Sequence, residues 1–233
     1  MSRVALKQNG RGGRRARETK VPAGTVLVTG FEPFGGGARN PSGEIAHALD
    51  GRVIAGRRVA GVVLPCVFGK ATRELGRQIS RHRPAIVVCL GLASGRAEVT
   101  PERVAINIED ARMPDNAGRQ PVDRPVVRTG PAAYWSTLPI KAIVAGLRSA
   151  GVPAAVSQTA GTFVCNSVFY GLMHRLQRLP GVRGGFVHVP AMEESGGGAP
   201  ALPLATLIDA VARVVEIAVK VRRDRRVAAG AEQ

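Results

Sequence analysis

Two residues stand out for the chemistry they could perform together, Cys165 and His188. Cys165 lies in "TAGTFVCNSVFYGL", where a turn-rich stretch runs into a helical pattern of apolar residues, and His188 lies near the end of the apolar run "GGFVHVP". A cysteine at a helix start lies beside backbone N–H groups that have no helical partner, and these favour a thiolate. A neighbouring imidazole would lower the pKa of the thiol further and could later protonate a leaving amine. The alternative is that Cys165 is a small buried core residue.

The elements around these two residues predict how they meet. "PAAVSQTAG" reads as a strand, "NSVFYGLMHRLQRL" repeats apolar positions at helical spacing, and "GGFVHVP" is a further strand. Such a unit forms a right-handed crossover, which places the loop after the first strand beside the end of the second. We therefore expect Cys165 and His188 to be neighbours although 22 residues intervene. The N–H groups of the helix start could then bind an oxyanion, an effect of about 3 kcal/mol per donor.

An acid is needed to orient the imidazole, and one segment offers three candidates. Glu102 follows the strand "AIVVCLG" in "VTPERVAIN", so it should lie near the same edge of the sheet, and Glu109 and Asp110 lie further along. Periodicity does not choose among the three. The alternative for each is a solvated carboxylate on the surface.

The rest of the chain alternates short apolar runs with amphipathic helices. "TVLVTG", "RRVAGVVLP" and "AIVVCLG" are apolar on both faces, which is typical of parallel or mixed sheets covered by helices on each side. "ERVAINIEDARMPDNAGRQPVD" departs from this rhythm and indicates a strand that runs into an excursion or hairpin. In an open α/β sheet the ligand crevice lies at the carboxyl ends of the strands. "FEPFGG", "GLASGR", "GTFVCN" and "HVP" should therefore meet along one edge.

Length and cysteine content narrow the class of protein. A chain of 233 residues fits one large domain, and none of its apolar runs approaches the roughly 20 residues that span a bilayer. The basic N-terminus has no apolar segment behind it, so we expect a cytoplasmic protein without a signal peptide or a membrane partner. Three cysteines cannot all pair, and none has metal-ligand spacing. Cys89 is predicted to be core, and Cys66, at a strand end, could lie near the site.

The net charge of +16 is concentrated at the two ends of the chain. The first 20 residues carry a net charge of +6, and "KVRRDRR" carries +4. The N-terminal stretch has no aromatic residues to stack on bases, so we predict a solvated, unfolded tail and no specific nucleic-acid partner. The alternative is a binding protein that uses these tails on nucleic acid. The predicted division is a tail over 1–22, a domain over 23–222 and a tail over 223–233.

Motifs along roughly 200 residues resemble the pyroglutamyl-peptidase I family, also called pyrrolidone-carboxylate peptidases. The resemblance is carried by "VLVTGFEPFGG", "GRAEVTPERVAINIEDARMPDNAGRQPVD", "SQTAGTFVCNSVFYGL" and "GFVHVP". It implies a single-domain α/β/α sandwich with a mixed, mostly parallel sheet, of the phosphorylase/hydrolase type, assembled as a homotetramer without metal or cofactor. It also implies a thiol peptidase that removes N-terminal pyroglutamate through a thioester. Its catalytic triad maps onto Cys165, His188 and Glu102.

The same resemblance implies a pocket for the lactam ring, with Arg112 stabilising the oxyanion. Substrate contacts would come from Phe31, Phe34, Asn40, Leu92, Met113, Phe163 and Val164. Pyroglutamate is flat and uncharged, so apolar walls with a few hydrogen-bond partners suit it, and the pocket would exclude a charged amine. Leu92, Ser94, Met113 and Cys66 depart from residues frequent in the family. A rival is a related enzyme acting on another small amide or on a nucleoside.

Overall fold

A computed structural model of the chain describes residues 24–193, 198 and 200–230. The predicted N-terminal tail, residues 1–22, lies outside the described residues. In this part of the chain no helix is long and apolar enough to cross a membrane. The strands, in chain order, are β1 (Val26–Phe31), β2 (Val53–Ile54), β3 (Arg57–Leu64), β4 (Ile86–Leu92), β5 (Thr100–Pro101), β6 (Val104–Ile106), β7 (Ala133–Trp135), β8 (Arg183–Val189), β9 (Ala191–Met192) and β10 (Ala201–Leu202). The helices are α1 (Pro41–Leu49), α2 (Lys70–His82), α3 (Ile140–Arg148), α4 (Val164–Leu176) and α5 (Leu204–Lys220).

The central sheet has six strands in the order β2-β3-β1-β4-β8-β5. The four inner strands are parallel, and the short strands β2 and β5 pair antiparallel at the two edges. All six residues of β1 are buried, as expected for a strand covered on both faces. The parallel register sets Gly91 of β4 opposite His188 of β8, close to the carboxyl edge.

Helices cover both faces of this sheet, so the predicted α/β/α sandwich is confirmed. On one face, α1, α3 and α5 pack through Leu49, Ile143 and Val211 against the even-numbered residues of β1 and β4. On the other face, α2 and α4 pack through Leu75 and Leu172 against the odd-numbered residues of those strands. The two-residue repeat of the strands therefore sorts their side chains into two separate cores.

The predicted strand before α4 is wrong in form and in direction. The segment "PAAVSQ" makes only isolated bridges, Val99 with Ala154 and Glu102 with Ser157, both parallel. It lies beyond β5, and β5 is antiparallel to β8, so this segment runs opposite to β8. The predicted crossover is absent because β5 occupies the position next to β8. The expected excursion after Ile106 does return as a hairpin partner, since β6 pairs with β7.

The chain after α5 folds back along α3. The Asp224 carboxylate accepts hydrogen bonds from the backbone N–H groups of Lys141 at 3.0 Å and Ala142 at 2.9 Å. It supplies the N-cap that α3 lacks, because Pro139 at that position makes no side-chain hydrogen bond. Further along, the Arg103 guanidinium donates to the Ala229 carbonyl at 2.7 Å. Part of the predicted C-terminal tail is therefore docked on the sandwich.

Candidate active site

A buried acid and an imidazole meet at the carboxyl edge of the sheet. Nδ1 of His188 lies 2.7 Å from Oε1 of Glu102, which has no exposed surface, and His188 is itself 4% exposed. Antiparallel pairing of β5 with β8 sets Thr100 opposite His188, and Glu102, two residues on, projects to the same face. When Nδ1–H donates this hydrogen bond to the carboxylate, Nε2 of a neutral imidazole keeps its lone pair.

The two other candidate acids make different contacts. The Glu109 carboxylate accepts a hydrogen bond from the Ser167 hydroxyl at 2.6 Å, on the first turns of α4. Asp110 is exposed and bonds through its backbone, donating to the Thr162 carbonyl at 3.0 Å. Of the three acids, Glu102 is the one that bonds His188.

Gly91 shows where the Cys165 thiol lies. A Cβ atom added to Gly91 would lie 2.8 Å from Sγ of Cys165 and 2.8 Å from the Phe186 ring. Gly91 is the register partner of His188 on the neighbouring strand, and side chains at paired positions project to the same face. The thiol therefore rests over the sheet on the same side as the His188 imidazole, against which the Phe186 ring packs at 4.9 Å between centroids. The thiol and the imidazole therefore lie on the same side of two neighbouring strands, although the predicted crossover is wrong.

Cys165 is the second residue of α4, and the helix has no side-chain cap at Phe163. The backbone N–H groups of the first turn thus have no helical acceptor and point towards the loop edge. The Asn166 side chain holds this helix start in place, because its amide accepts from the Ile106 N–H and donates to the Ile106 and Ile108 carbonyls. The helix start carries both the thiol and a set of donors for an oxyanion.

The surroundings of Cys165 oppose the expected thiolate. Burial raises the pKa of the thiol well above its ordinary value, and the negative charge of Glu102 raises it further. The Arg96 guanidinium and the backbone N–H of Cys165 lower it by less. Cys165 is partly exposed, but its thiol rests over Gly91 of the sheet close to the Phe186 ring, so desolvation opposes the effect of the helix start. The balance of these contributions favours the protonated thiol of Cys165.

Arg96 completes this cluster, and the sequence analysis assigned it no role. Its Nη1 donates to Oε1 of Glu102 at 2.8 Å and to the Thr100 hydroxyl at 2.7 Å. Its Nη2 donates to the Thr159 carbonyl at 3.0 Å, in the loop that leads to α4. The signal available in the sequence was its place in "GLASGR", directly after a buried strand.

Aromatic rings cluster at the start of α4, next to Cys165 along the chain. Phe163, the residue before α4, lies 6.1 Å from Phe34 and 5.2 Å from Phe68 between ring centroids. Met113 reaches the same place, since its Cε lies 2.9 Å from a Cβ added to Gly35. Phe68 was missed by the sequence analysis, although it follows β3 at the predicted ligand edge.

The other predicted pocket residues have structural contacts. Phe31 and Val164 are buried in the core at 2% and 0% exposure, and Phe31 packs on Phe186. Asn40 is the N-cap of α1, because its amide oxygen accepts from the Ser42 N–H at 3.1 Å. Leu92 is the last residue of β4.

Arg112 is exposed, and the hydrogen bonds between Asp110 and Thr162 bring its segment alongside the start of α4. Within the described ranges, no cluster of three His, Cys, Asp or Glu side chains is placed to hold a metal ion.

Comparison with known proteins identifies the family of this chain. The family model described as pyroglutamyl peptidase matches residues 24–221. The chain belongs to this family. It is 52% identical over 209 residues to a pyrrolidone-carboxylate peptidase of Klebsiella pneumoniae, covering 88% of this chain and 98% of the relative. It is 55% identical over 205 residues to one of Chromobacterium violaceum, covering 87% and 96%.

Solved structures of the family share the fold. The crystal structure of pyroglutamyl peptidase I from Bacillus amyloliquefaciens aligns with a TM-score of 0.86 at 45% identity, covering 88% of this chain and 99% of that one. A mutant pyrrolidone carboxyl peptidase from Pyrococcus furiosus aligns with a TM-score of 0.81 at 41% identity, covering 84% and 98%. The structural similarity of this chain to both proteins therefore extends over the sandwich.

Proposed function

We propose that this chain is a cysteine exopeptidase that removes the N-terminal pyroglutamyl residue from peptides, with Cys165 as nucleophile, His188 as base and acid, and Glu102 as the group that orients His188. The observation that carries the proposal is the buried Glu102–His188 hydrogen bond at 2.7 Å beside a thiol at a helix start, in a chain of the pyroglutamyl peptidase family. An acid, an imidazole and a thiol in this order are the parts of a nucleophilic triad.

The first half of the reaction transfers the pyroglutamyl group to sulfur. His188 takes the Sγ proton at Nε2 as sulfur attacks the carbonyl carbon of the scissile amide, which overcomes the raised pKa of the buried thiol. Backbone N–H groups at the start of α4, with Arg112, stabilise the oxyanion. The C–N bond then breaks, the imidazolium gives its proton to the leaving amine, and a thioester remains on Cys165.

The second half releases pyroglutamate. His188 takes a proton from a water molecule, the resulting hydroxide attacks the thioester carbonyl, and the C–S bond breaks. Sulfur regains its proton from the imidazolium, so the enzyme returns to its starting state. Glu102 keeps Nδ1 occupied throughout, so that the proton always moves through Nε2.

Specificity for pyroglutamate comes from the aromatic cluster at the start of α4. We propose that Phe34, Phe163 and Met113, together with Phe68, hold the flat lactam ring, and that Phe31 and Val164 support these walls from the core. Asn40 and the backbone at Leu92 would meet the polar atoms of the lactam. A charged N-terminal amine would lose its hydration among these rings without gaining a partner, which selects against ordinary peptides.

The setting of the enzyme is also proposed. Three free thiols favour a reducing compartment, and we propose that the enzyme works in the cytoplasm, without a cofactor. The resemblance of its motifs to the family favours a homotetramer, which light scattering of the full chain would test.

The test is turnover of a pyroglutamyl-anilide by the purified chain. We expect release of the aniline by the wild type, loss of at least a thousandfold in Cys165→Ser, and near wild-type activity in Cys89→Ala, which removes a thiol from the core of β4. Alkylation followed by mass mapping should modify Cys165, and a pyroglutamyl inhibitor should protect it. A folded wild type that leaves the anilide intact would support an enzyme for another small amide.

A further inference from the structure

Arg96 is the one cation that touches the buried acid of the site, as far as the described residues show. The Glu102 carboxylate is completely buried, and the Arg96 side chain is 32% exposed, so the guanidinium lies between the acid and the solvent. A buried carboxylate without a cation nearby favours taking up a proton. The Arg96 guanidinium is therefore placed to balance the charge of the Glu102 carboxylate.

The hydrogen bonds of Glu102 are concentrated on one oxygen. Oε1 accepts from both His188 and Arg96, and for the second oxygen, Oε2, the described part of the chain offers no partner. Without Arg96 the only remaining bond would come from a neutral imidazole, which carries no charge to balance the carboxylate. The acid and His188 would then hold one proton more, either as an imidazolium or on the carboxyl group itself.

Few other charges act on this pair. Burial raises the pKa of the thiols of Cys165, in α4, and of Cys66, after β3, so neither is favoured to carry a negative charge. Arg103, the next residue after Glu102, points away and donates to the Gln158 side chain at 2.7 Å. Arg96 is left as the charge that balances the acid.

Arg96 also holds the geometry of the site. Its two nitrogens join the turn after β4 to Thr100 in β5 and to Thr159 in the loop before α4. A planar guanidinium with donors in fixed directions can make these contacts at the same time. A lysine ammonium would keep the positive charge and lose this fixed set of donors. Charge and orientation can therefore be separated by substitution.

We propose that Arg96 is a positioning residue that keeps the Glu102–His188 pair in the proton state needed for catalysis. Its positive charge keeps Glu102 ionised and His188 neutral, so that Nε2 is free to accept the Cys165 proton. The inference rests on the proposed function in taking His188 as the base. Removing the positive charge of Arg96 makes proton uptake by the Glu102–His188 pair more favourable. His188 would therefore stay protonated up to a higher pH.

The test compares Arg96→Gln, Arg96→Lys and the wild type over pH. In Arg96→Gln the acidic limb of kcat/KM for the pyroglutamyl-anilide should move up by about one pH unit, with about a tenfold loss below it. Arg96→Lys should recover at least half of that shift while kcat stays low. Arg213→Gln, a surface change on α5, should leave the limb in place. An equal loss at every pH in Arg96→Gln, without a shift, would overturn the proposal.

A second measurement does not depend on turnover. The ¹⁵N resonances of the His188 ring, assigned with His188→Gln, should titrate at higher pH in Arg96→Gln than in the wild type. If the wild type does not cleave the anilide and this difference is present, the proposed function fails and the role of Arg96 stands. If the two titrations coincide, the role of Arg96 fails.

The stability of the variants to urea gives a third test, which can be made even if Arg96→Gln is too unstable for the first two measurements. The double variant Arg96→Gln/Glu102→Gln has no unbalanced carboxylate, so it should be more stable to urea than Arg96→Gln alone. Equal instability of the single and double variants would show that Arg96 acts through Thr100 and Thr159 instead of Glu102, against the proposal.

Discussion

Gly91→Ala tests the placement of Cys165, the proposed nucleophile, because Gly91 lies directly beneath the thiol. The added Cβ would lie 2.8 Å from Sγ of Cys165 and from Cζ of Phe186, and 2.9 Å from Cε1 of the same ring. Ordinary contacts begin near 3.4 Å, so the thiol and the ring must each move by about 0.6 Å or more. Both atoms belong to packed elements, so we expect this overpacking to cost about 1–3 kcal/mol of unfolding free energy.

The effect on activity should exceed the effect on stability. A misplacement approaching 1 Å at a reacting atom can cost about a hundredfold in rate. We therefore expect kcat/KM of Gly91→Ala on a pyroglutamyl-anilide to fall about 10- to 100-fold at a temperature where the variant remains folded. Urea unfolding followed by circular dichroism gives the stability, and progress curves give kcat and KM.

A matched variant separates this effect from a general effect of glycine replacement. In Gly95→Ala the new Cβ meets nothing within 4 Å, and the residue lies in the turn that follows β4. Its activity and stability should stay within about twofold and 0.5 kcal/mol of the wild type. If Gly91→Ala keeps more than half of the wild-type kcat/KM, Cys165 does not rest against Gly91, and the argument that places it beside His188 is refuted.

Three further predictions concern the pocket, the C-terminal contact and the response to high pH. Phe68→Ala removes a ring that packs edge-on against Phe163, so KM for the anilide should rise several-fold, with a stability loss of about 3 kcal/mol by urea titration. Asp224→Ala removes the cap of α3 and should lower the urea midpoint by the equivalent of about 1 kcal/mol, whereas Asp224→Asn should retain part of this stabilisation. An unchanged midpoint in Asp224→Ala would show that the C-terminal contact does not stabilise the folded domain. Burial raises the pKa of Cys89 to about 12, so on raising the pH the unfolded chain loses the thiol proton before the folded chain does, and the unfolding free energy should fall between about pH 9 and pH 12. The fall should be shallower in Cys89→Ala. Identical slopes in the two proteins would show that the Cys89 thiol is not the source of the fall.

Sequence alone determined the layers of the fold and the candidates for the reactive residues. Runs such as "AIVVCLG" are apolar on both faces, and this pattern is local, so it predicts a covered strand without knowledge of its neighbours. Cys165 and His188 were recognisable from their places at an element boundary and from the motifs around them. The helices α2, α4 and α5 follow from apolar spacing, because helical hydrogen bonds also join residues close in sequence.

Tertiary structure decided which side chains meet. Glu102, Glu109 and Asp110 are equivalent by spacing, and Glu102 reaches His188 because β5 inserts next to β8. That insertion depends on pairing between residues 86 positions apart in the chain, which no local pattern encodes.

The state of the thiol was likewise decided by packing. A helix start favours a thiolate, and the packing of Cys165 against Gly91 opposes that preference, because desolvation depends on everything that surrounds the sulfur. Phe68 and Arg96 join the site for the same reason. Their roles come from what lies beside them in space, whereas the sequence records only what lies beside them along the chain.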